Sequence, residues 1–369
     1  MTNYSHLNEL LQGFTKGIGP AGCACAFAKD GNTLYEGYFG KADLALGRPI
    51  DGRSVYRIFS MTKIIVCAAA MMLFERGKFL LSDPIYEYFP EYKHHGSMLV
   101  KHAFTMAVGL SNPNEDSPTG RAMRQVYDRI EKDGKPELRT YIKAMADVPL
   151  GYEPGARFTY GFGHEMVAGL IEVVSGKSVG QFLREEIFAP LGMEDTGYRF
   201  FGDIKQRMVT PYRRAGDGTL TEIPGDADDL HKPDARLERG GSGLFSTVRD
   251  YLAFTQMLAG GGIYGRERIM GRKTIDLMRR NQLSAAQMRD FETPYNRGYG
   301  YGLGVRTMLD PAAALSPSAL GEFGWSGMYG TWTAIDPGEG FSAVYMHQLV
   351  PPMQEYCHHR VRAAVFGCL

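Results

Sequence analysis

The stretch Ser60-Met61-Thr62-Lys63-Ile64-Ile65-Val66-Cys67-Ala68-Ala69-Ala70-Met71-Met72-Leu73-Phe74 decides how this chain is read. Residues 64–74 are apolar without interruption. A helix formed there has no face for water and belongs at the centre of the protein. The run is too short to span a bilayer, and Gly77 is placed to end the helix in the C′ position. Ser60 and Lys63, three residues apart, share a helix face about one turn apart. Lys63 can then take the proton that makes the Ser60 hydroxyl a nucleophile, which is a constellation for covalent catalysis. The plain alternative is an ordinary N-cap serine with a solvated lysine on the first turn. Against it stands the cost of bringing an ammonium into an apolar core without a partner.

Working outward, residues 21–40 alternate apolar and polar and break at Asp30-Gly31-Asn32, which predicts two antiparallel strands joined by a turn. From about 82 to 200 the chain turns helical and polar, punctuated by Pro84, Pro90, Pro113, Pro118, Pro149 and Pro154. Residues 167–175 and 179–188 read as two helices separated by Gly176. After an irregular stretch at 202–239 come helices near 247–259 and 272–281, then strands around 299–307, 329–336 and 341–349. Strands at both ends around helices in the middle predict an α/β (α+β) fold: an antiparallel sheet built from both termini and flanked by helices. The sheet domain is expected to comprise residues 1–81 and 202–369, with a mainly helical subdomain, 82–201, inserted between them. The site is expected in the groove between the two.

Composition bounds the function. The 369 residues are 44% hydrophobic, enough for a large core, and 41 Lys+Arg balance 41 Asp+Glu. Zero formal charge argues against nucleic acid or an anionic membrane as partner. The five cysteines, Cys23, Cys25, Cys67, Cys357 and Cys368, form no C-x-x-C pair, and Cys67 reads as a packing residue. Met1-Thr2-Asn3-Tyr4 lacks the basic and apolar regions of a signal peptide, so a cytoplasmic location is the expectation. His94-His95 and His358-His359 are adjacent pairs whose spacing sends two side chains apart rather than to one metal, and both read as surface. Asp226, Asp228 and Asp229 read as a solvated loop. No H-E-x-x-H, G-x-S-x-G or Gly-rich phosphate loop is present, and no metal or organic cofactor is implied.

Several motifs in order carry a family resemblance over about residues 20–350. They are Ser60-x-x-Lys63, Gly109-Leu110-Ser111, Phe158-Thr159-Tyr160 before an apolar helix ending Val174-Ser175-Gly176, and Pro190-Leu191-Gly192-Met193. Then follow Gly240-Gly241-Ser242-Gly243-Leu244-Phe245-Ser246-Thr247, Asp250, and Gly324-Trp325-Ser326-Gly327 leading to Tyr329-Gly330-Thr331 and Asp336-Pro337. The chain resembles the serine β-lactamase and penicillin-binding-protein superfamily, in the branch of class C β-lactamases, DD-peptidases and family VIII carboxylesterases. The resemblance implies Ser60 as the acylated nucleophile, Lys63 as its proton acceptor, and Tyr160 as the tyrosine of the Y-x-N element. It implies the backbone N–H groups of Ser60 and Met328 as the oxyanion hole. It also places Phe162, Trp325, Ser326, Gly327 and, near the strand end with His347, Gln348 at the substrate.

Two positions depart from the superfamily pattern. The Y-x-N asparagine is replaced by Phe162, and the K-T-G or H-T-G motif reads Trp325-Ser326-Gly327, so a substrate carboxylate loses its usual cation. Trp325 is either a partner for polar groups or a plain aromatic wall. The expected activity is that of a serine hydrolase working through a covalent acyl-enzyme, a carboxylesterase or acyltransferase acting on small esters or activated amides. The alternatives are a β-lactamase or D-amino-acid peptidase and, from a different class, a non-catalytic binding protein. The expected partner is a small-molecule ester, amide or lactam; oligomeric state is left open.

Overall fold

In the computed structural model, which describes residues 4–134 and 136–369 apart from the side chains of 226–228, the chain begins with helix α1 (Ser5–Phe14). Met1 to Asn3 and the side chains of Asp226 and Asp228 therefore lie outside the described residues. The alternating stretch forms β1 (Gly22–Lys29) and β2 (Asn32–Asp43). Asp30 (φ 50°) and Gly31 (φ 78°) turn between them, both left-handed as a tight two-residue hairpin turn requires. The sheet is completed by β3 (Arg48–Pro49), β4 (Tyr299–Tyr301), β5 (Arg306–Met308), β6 (Phe323–Gly324), β7 (Trp332–Asp336) and β8 (Phe341–His347). Its spatial order is β4-β5-β6-β7-β8-β1-β2-β3, with every neighbour antiparallel. β1 and β8 run side by side from the Cys23–His347 pair to the Lys29–Phe341 pair, so the two ends of the chain meet at the centre of the sheet.

The two faces of β1 differ because successive side chains point opposite ways. Cys23, Cys25 and Phe27, with Trp332 and Tyr345, pack beneath α1 and the C-terminal helix, Gln354–Phe366. Ala24, Ala26 and Ala28 face the main core. Small side chains let the helix Val248–Ala259 approach the sheet closely: Gln256 Nε2 donates to the Ala28 carbonyl at 2.9 Å and to Ser342 Oγ at 2.8 Å. Above this layer lies α2 (Thr62–Glu75), whose residues Thr62 to Leu73 are all buried. Burying each large aliphatic side chain is worth about 1.5–3 kcal/mol, so this helix anchors the core. It ends as the sequence requires: Gly77 takes φ +68° and its N–H caps the Phe74 carbonyl at 2.9 Å.

Two readings need correction. The stretch 202–239 is not wholly irregular, since Tyr212–Arg214 pairs with Leu220–Glu222 around a turn at Gly218 (φ +89°), and Tyr212 also lies beside Leu349. Strands this short cannot display an alternation. The strand expected at 299–307 is two strands, β4 and β5, that reverse through Gly302-Leu303-Gly304. Among the described residues, no single helix is long and apolar enough to cross a membrane.

Candidate active site

Ser60 lies in a single 3₁₀ turn, Phe59–Met61, that feeds α2. Phe59 adopts φ +43°, a left-handed conformation costing a non-glycine residue roughly 1–3 kcal/mol, and its ring packs on Tyr329 at 4.3 Å between centroids. The strained residue directly before Ser60 is thus held by a ring contact from the neighbouring turn 326–330. Lys63, only 5% exposed, donates to Ser60 Oγ at 3.1 Å. Its ammonium also donates to the Gly241 carbonyl and stands 4.6 Å from the centroid of the Tyr160 ring. A hydroxyl, a carbonyl and an aromatic face therefore replace the water that a buried ammonium needs.

The Gly241 carbonyl is itself fixed. Glu165, on the helix Gly163–Ser175, accepts the N–H groups of Gly240 at 2.8 Å and Gly241 at 3.2 Å. A Cβ on Gly241 would come within 3.0 Å of Glu165 Oε1 and 3.3 Å of Lys63 Nζ, so glycine permits this junction. Glu165 was missed in the sequence reading. The available signal was a carboxylate opening an otherwise apolar helix, paired in the fold with the Gly240-Gly241 dipeptide.

Tyr160 precedes that helix and stacks on Trp325, with ring centroids 5.6 Å apart and 25° between planes. Trp325 Nε1 donates to the Tyr160 hydroxyl at 3.0 Å. Trp325 therefore has a polar role, which decides the question its sequence position left open. With the indole N–H on one lone pair, the phenol's own proton turns away from Trp325.

Ser60, Lys63, Tyr160, Phe162, Trp325, Ser326, Gly327 and Met328 all line one cleft of about 1040 Å³. Ser326-Gly327-Met328-Tyr329-Gly330 forms a tight turn at its sheet-side wall, closed by Gly327 N–H to Thr331 O at 2.7 Å and Gly330 N–H to Gly327 O at 2.9 Å. Gly327 cannot be larger, because a Cβ would sit 2.4 Å from the Ile58 carbonyl. Met328 is 56% exposed, and its amide makes no hydrogen bond to another described residue. Gln348 is not at the cleft: its Oε1 accepts from Arg57 N–H at 3.3 Å and its Nε2 donates to Arg57 O at 3.1 Å, so its amide ties two backbone segments together. That corrects its expected substrate contact.

The histidine pairs are also corrected. His94 and His95 are not splayed, since both Nε2 atoms meet the Ala146 carbonyl, at 3.0 and 3.2 Å. His358 is fully buried whereas His359 is not, because neighbours on a helix diverge and one faces inward. Cys67 is buried, with its Sγ 3.6 Å from His164 Nε2. Burial, then the charge of Lys63, lowers the His164 pKa to about 3, which avoids a second cation beside the lysine. No disulfide links the five cysteines, and no cluster of three or more His, Cys, Asp or Glu among the described residues could hold a metal ion.

Ser60 and Lys63 thus stand at the head of a buried helix, beside Tyr160 and the turn 326–330 that joins two strands of the sheet. The chain belongs to the Beta-lactamase family, which it matches over residues 7–366. It is 30% identical over 338 residues to Protein Rv1367c of Mycobacterium tuberculosis, covering 85% of this chain and 82% of that protein. It is 26% identical over 352 residues to Esterase EstB of Burkholderia gladioli, covering 88% and 85%. Among solved structures it superposes on EstCE1, described as a hydrolase with promiscuous acyltransferase activity, with a TM-score of 0.84, 22% identity and 98% of each chain covered.

Proposed function

We propose that the chain is a carboxylesterase or acyltransferase-type enzyme that forms an acyl-enzyme on Ser60 from small esters or activated amides. The observation that carries this is the Ser60–Lys63 contact of 3.1 Å beside a Tyr160 hydroxyl that Trp325 orients. Ser60 Oγ bonds to the substrate carbonyl carbon and its proton passes to the Lys63–Tyr160 pair, which receives it in the form one proton short, the Lys63 ammonium beside a Tyr160 phenolate. The oxyanion meets the amides of Ser60 and Met328. The bond to the alcohol or amine then breaks, with the relayed proton going to the leaving group, and water or another acceptor releases the acyl group. The Met328 amide, on the cleft wall and without a hydrogen bond to another described residue, supports the oxyanion role. The esterase name of EstB and the description of EstCE1 support the substrate class.

A β-lactamase or D-amino-acid peptidase is the second reading within the family, and the indole at 325 weighs against it because it offers a substrate carboxylate no charge. Ser60, Lys63 and Tyr160 together weigh against a non-catalytic binding protein. Turnover of p-nitrophenyl esters beside nitrocefin, with fluorophosphonate labelling, tests all three. Faster nitrocefin hydrolysis overturns the esterase reading, and neither turnover nor labelling overturns the enzyme.

A further inference from the structure

The turn that presents Met328 is braced by two imidazoles outside the cleft. The Gly330 carbonyl accepts from His358 Nε2 at 3.1 Å, and His358 Nδ1 is paired with the Tyr295 hydroxyl at 2.8 Å. A carbonyl has no proton to give, so Nε2 carries the hydrogen and Nδ1 accepts the phenol's. His347 is oriented in the same way: Nε2 donates to Pro352 O at 3.0 Å, and Nδ1 accepts from Tyr345 at 2.9 Å. Its ring lies so close to Gly330 (φ +101°) that a Cβ there would be 1.8 Å from Nε2. Burial keeps both imidazoles neutral, with His347 lowered to about 4 and His358 held well below the ordinary imidazole range. Gly330 is thus pressed from one side by His347 and tied by its carbonyl to His358. Tyr295, the other partner of His358, lines the cleft, and its ring stacks on His359 at 5.6 Å.

We propose that His358 is a positioning residue for acyl transfer, using one nitrogen to hold the oxyanion turn through Gly330 and the other to anchor the hydroxyl of Tyr295, whose ring forms part of the cleft wall. This rests on the hydrolase reading above. The Gly330 bond fixes where the Met328 amide points, and a displacement of 1 Å at such a donor costs about 100-fold in rate. Tyr295 gives its proton to His358 and its oxygen also meets the Arg306 guanidinium, so the hydroxyl is held from behind and the ring is what the cleft presents to substrate. The two nitrogens therefore divide rate from affinity.

The test compares His358→Gln with His358→Met, which have similar volume and differ in the amide donor, alongside Tyr295→Phe. kcat and KM are measured separately on a p-nitrophenyl ester, and melting temperatures confirm folding. The Met variant is expected to lose about 10- to 100-fold in kcat with KM within about 3-fold. The Gln variant, whose N–H can reach Gly330, is expected to keep kcat within about 3-fold, and Tyr295→Phe to change KM but not kcat. Folded Met and Gln variants with equal kcat overturn the brace and leave the hydrolase reading standing. If the Met variant does not fold, a Gln variant that loses kcat 10-fold or more overturns the brace, and one that keeps kcat with the KM of Tyr295→Phe supports it. No turnover by the unmodified protein overturns the hydrolase reading itself.

Discussion

At the floor of the cleft, the Lys63 ammonium is surrounded by a hydroxyl, a carbonyl and an aromatic face; on the sheet-side wall, where the superfamily expects a cation, Trp325 offers one N–H, and it goes to Tyr160. The floor supplies charge with every partner in place, and the wall supplies neutral shape and orientation. This contrast separates reactivity from recognition. Under the proposed function, the floor activates a serine toward any acyl group that fits, and the wall selects against substrates that need a counter-charge.

The largest expected effect tests the floor. Ser60→Ala should abolish covalent labelling and lower ester turnover at least ~10⁴-fold, because the bond-forming oxygen is gone. The fold should survive, since Ser60 makes no cap hydrogen bond in the turn. Calorimetry beside activity checks both, and retained turnover would falsify the nucleophile assignment. Lys63→Ala and Tyr160→Phe should each be severe and their combination little worse than the poorer single change, as groups acting in one relay are non-additive. Additive losses would mean that the floor is two independent devices.

The next effect tests the wall. Without a cation at 325 and with Phe162 in place of an amide, short aryl esters should be hydrolysed with kcat/KM at least ~100-fold above cephalosporins, the worth of two polar contacts, about 2.8 kcal/mol. Trp325→Lys should narrow the gap from the cephalosporin side. Nitrocefin cleaved as fast as esters would end the distinction between floor and wall. Trp325→Phe is milder: the ring stays and one neutral hydrogen bond goes, worth about 0.5–1.5 kcal/mol, so kcat should fall about 2- to 10-fold. An unchanged kcat would leave the indole only a stacking role. The smallest effect is expected at Glu165→Gln, which keeps an acceptor oxygen for one of the Gly240 and Gly241 N–H groups and turns an amide N–H toward the other. A several-fold loss in kcat with KM steady would sharpen the view that Lys63 is placed through Gly241; a change in KM alone would oppose it.

The buried helix and the Ser60–Lys63 spacing were readable because they are local: an apolar run, a helical spacing and a terminating glycine lie within residues 60–77, whereas Tyr160 and Gly241 reach the floor from distant segments. The wall was not, because its parts come from far along the chain. Gly330 is meaningful only beside His347 and His358, and nothing in an adjacent histidine pair says which ring a helix will turn inward. Gln348 was misjudged because a polar residue at a strand end can serve backbone as well as substrate, and Arg57 claims it. The hairpin Asp30-Gly31 and the sheet from both termini were readable by turn chemistry and period, whereas the short pairing of Tyr212–Arg214 fell below any periodic signal.

One consequence of α2, buried from Thr62 to Leu73, concerns time rather than geometry. Amides at the centre of this helix reach solvent only when the whole core opens. Lys63 enters that helix in its first turn, with its carbonyl partner, Gly241, fixed from another buried helix. The backbone from Ile64 to Leu73 is therefore expected to open only with the core, so thermal inactivation should track global unfolding.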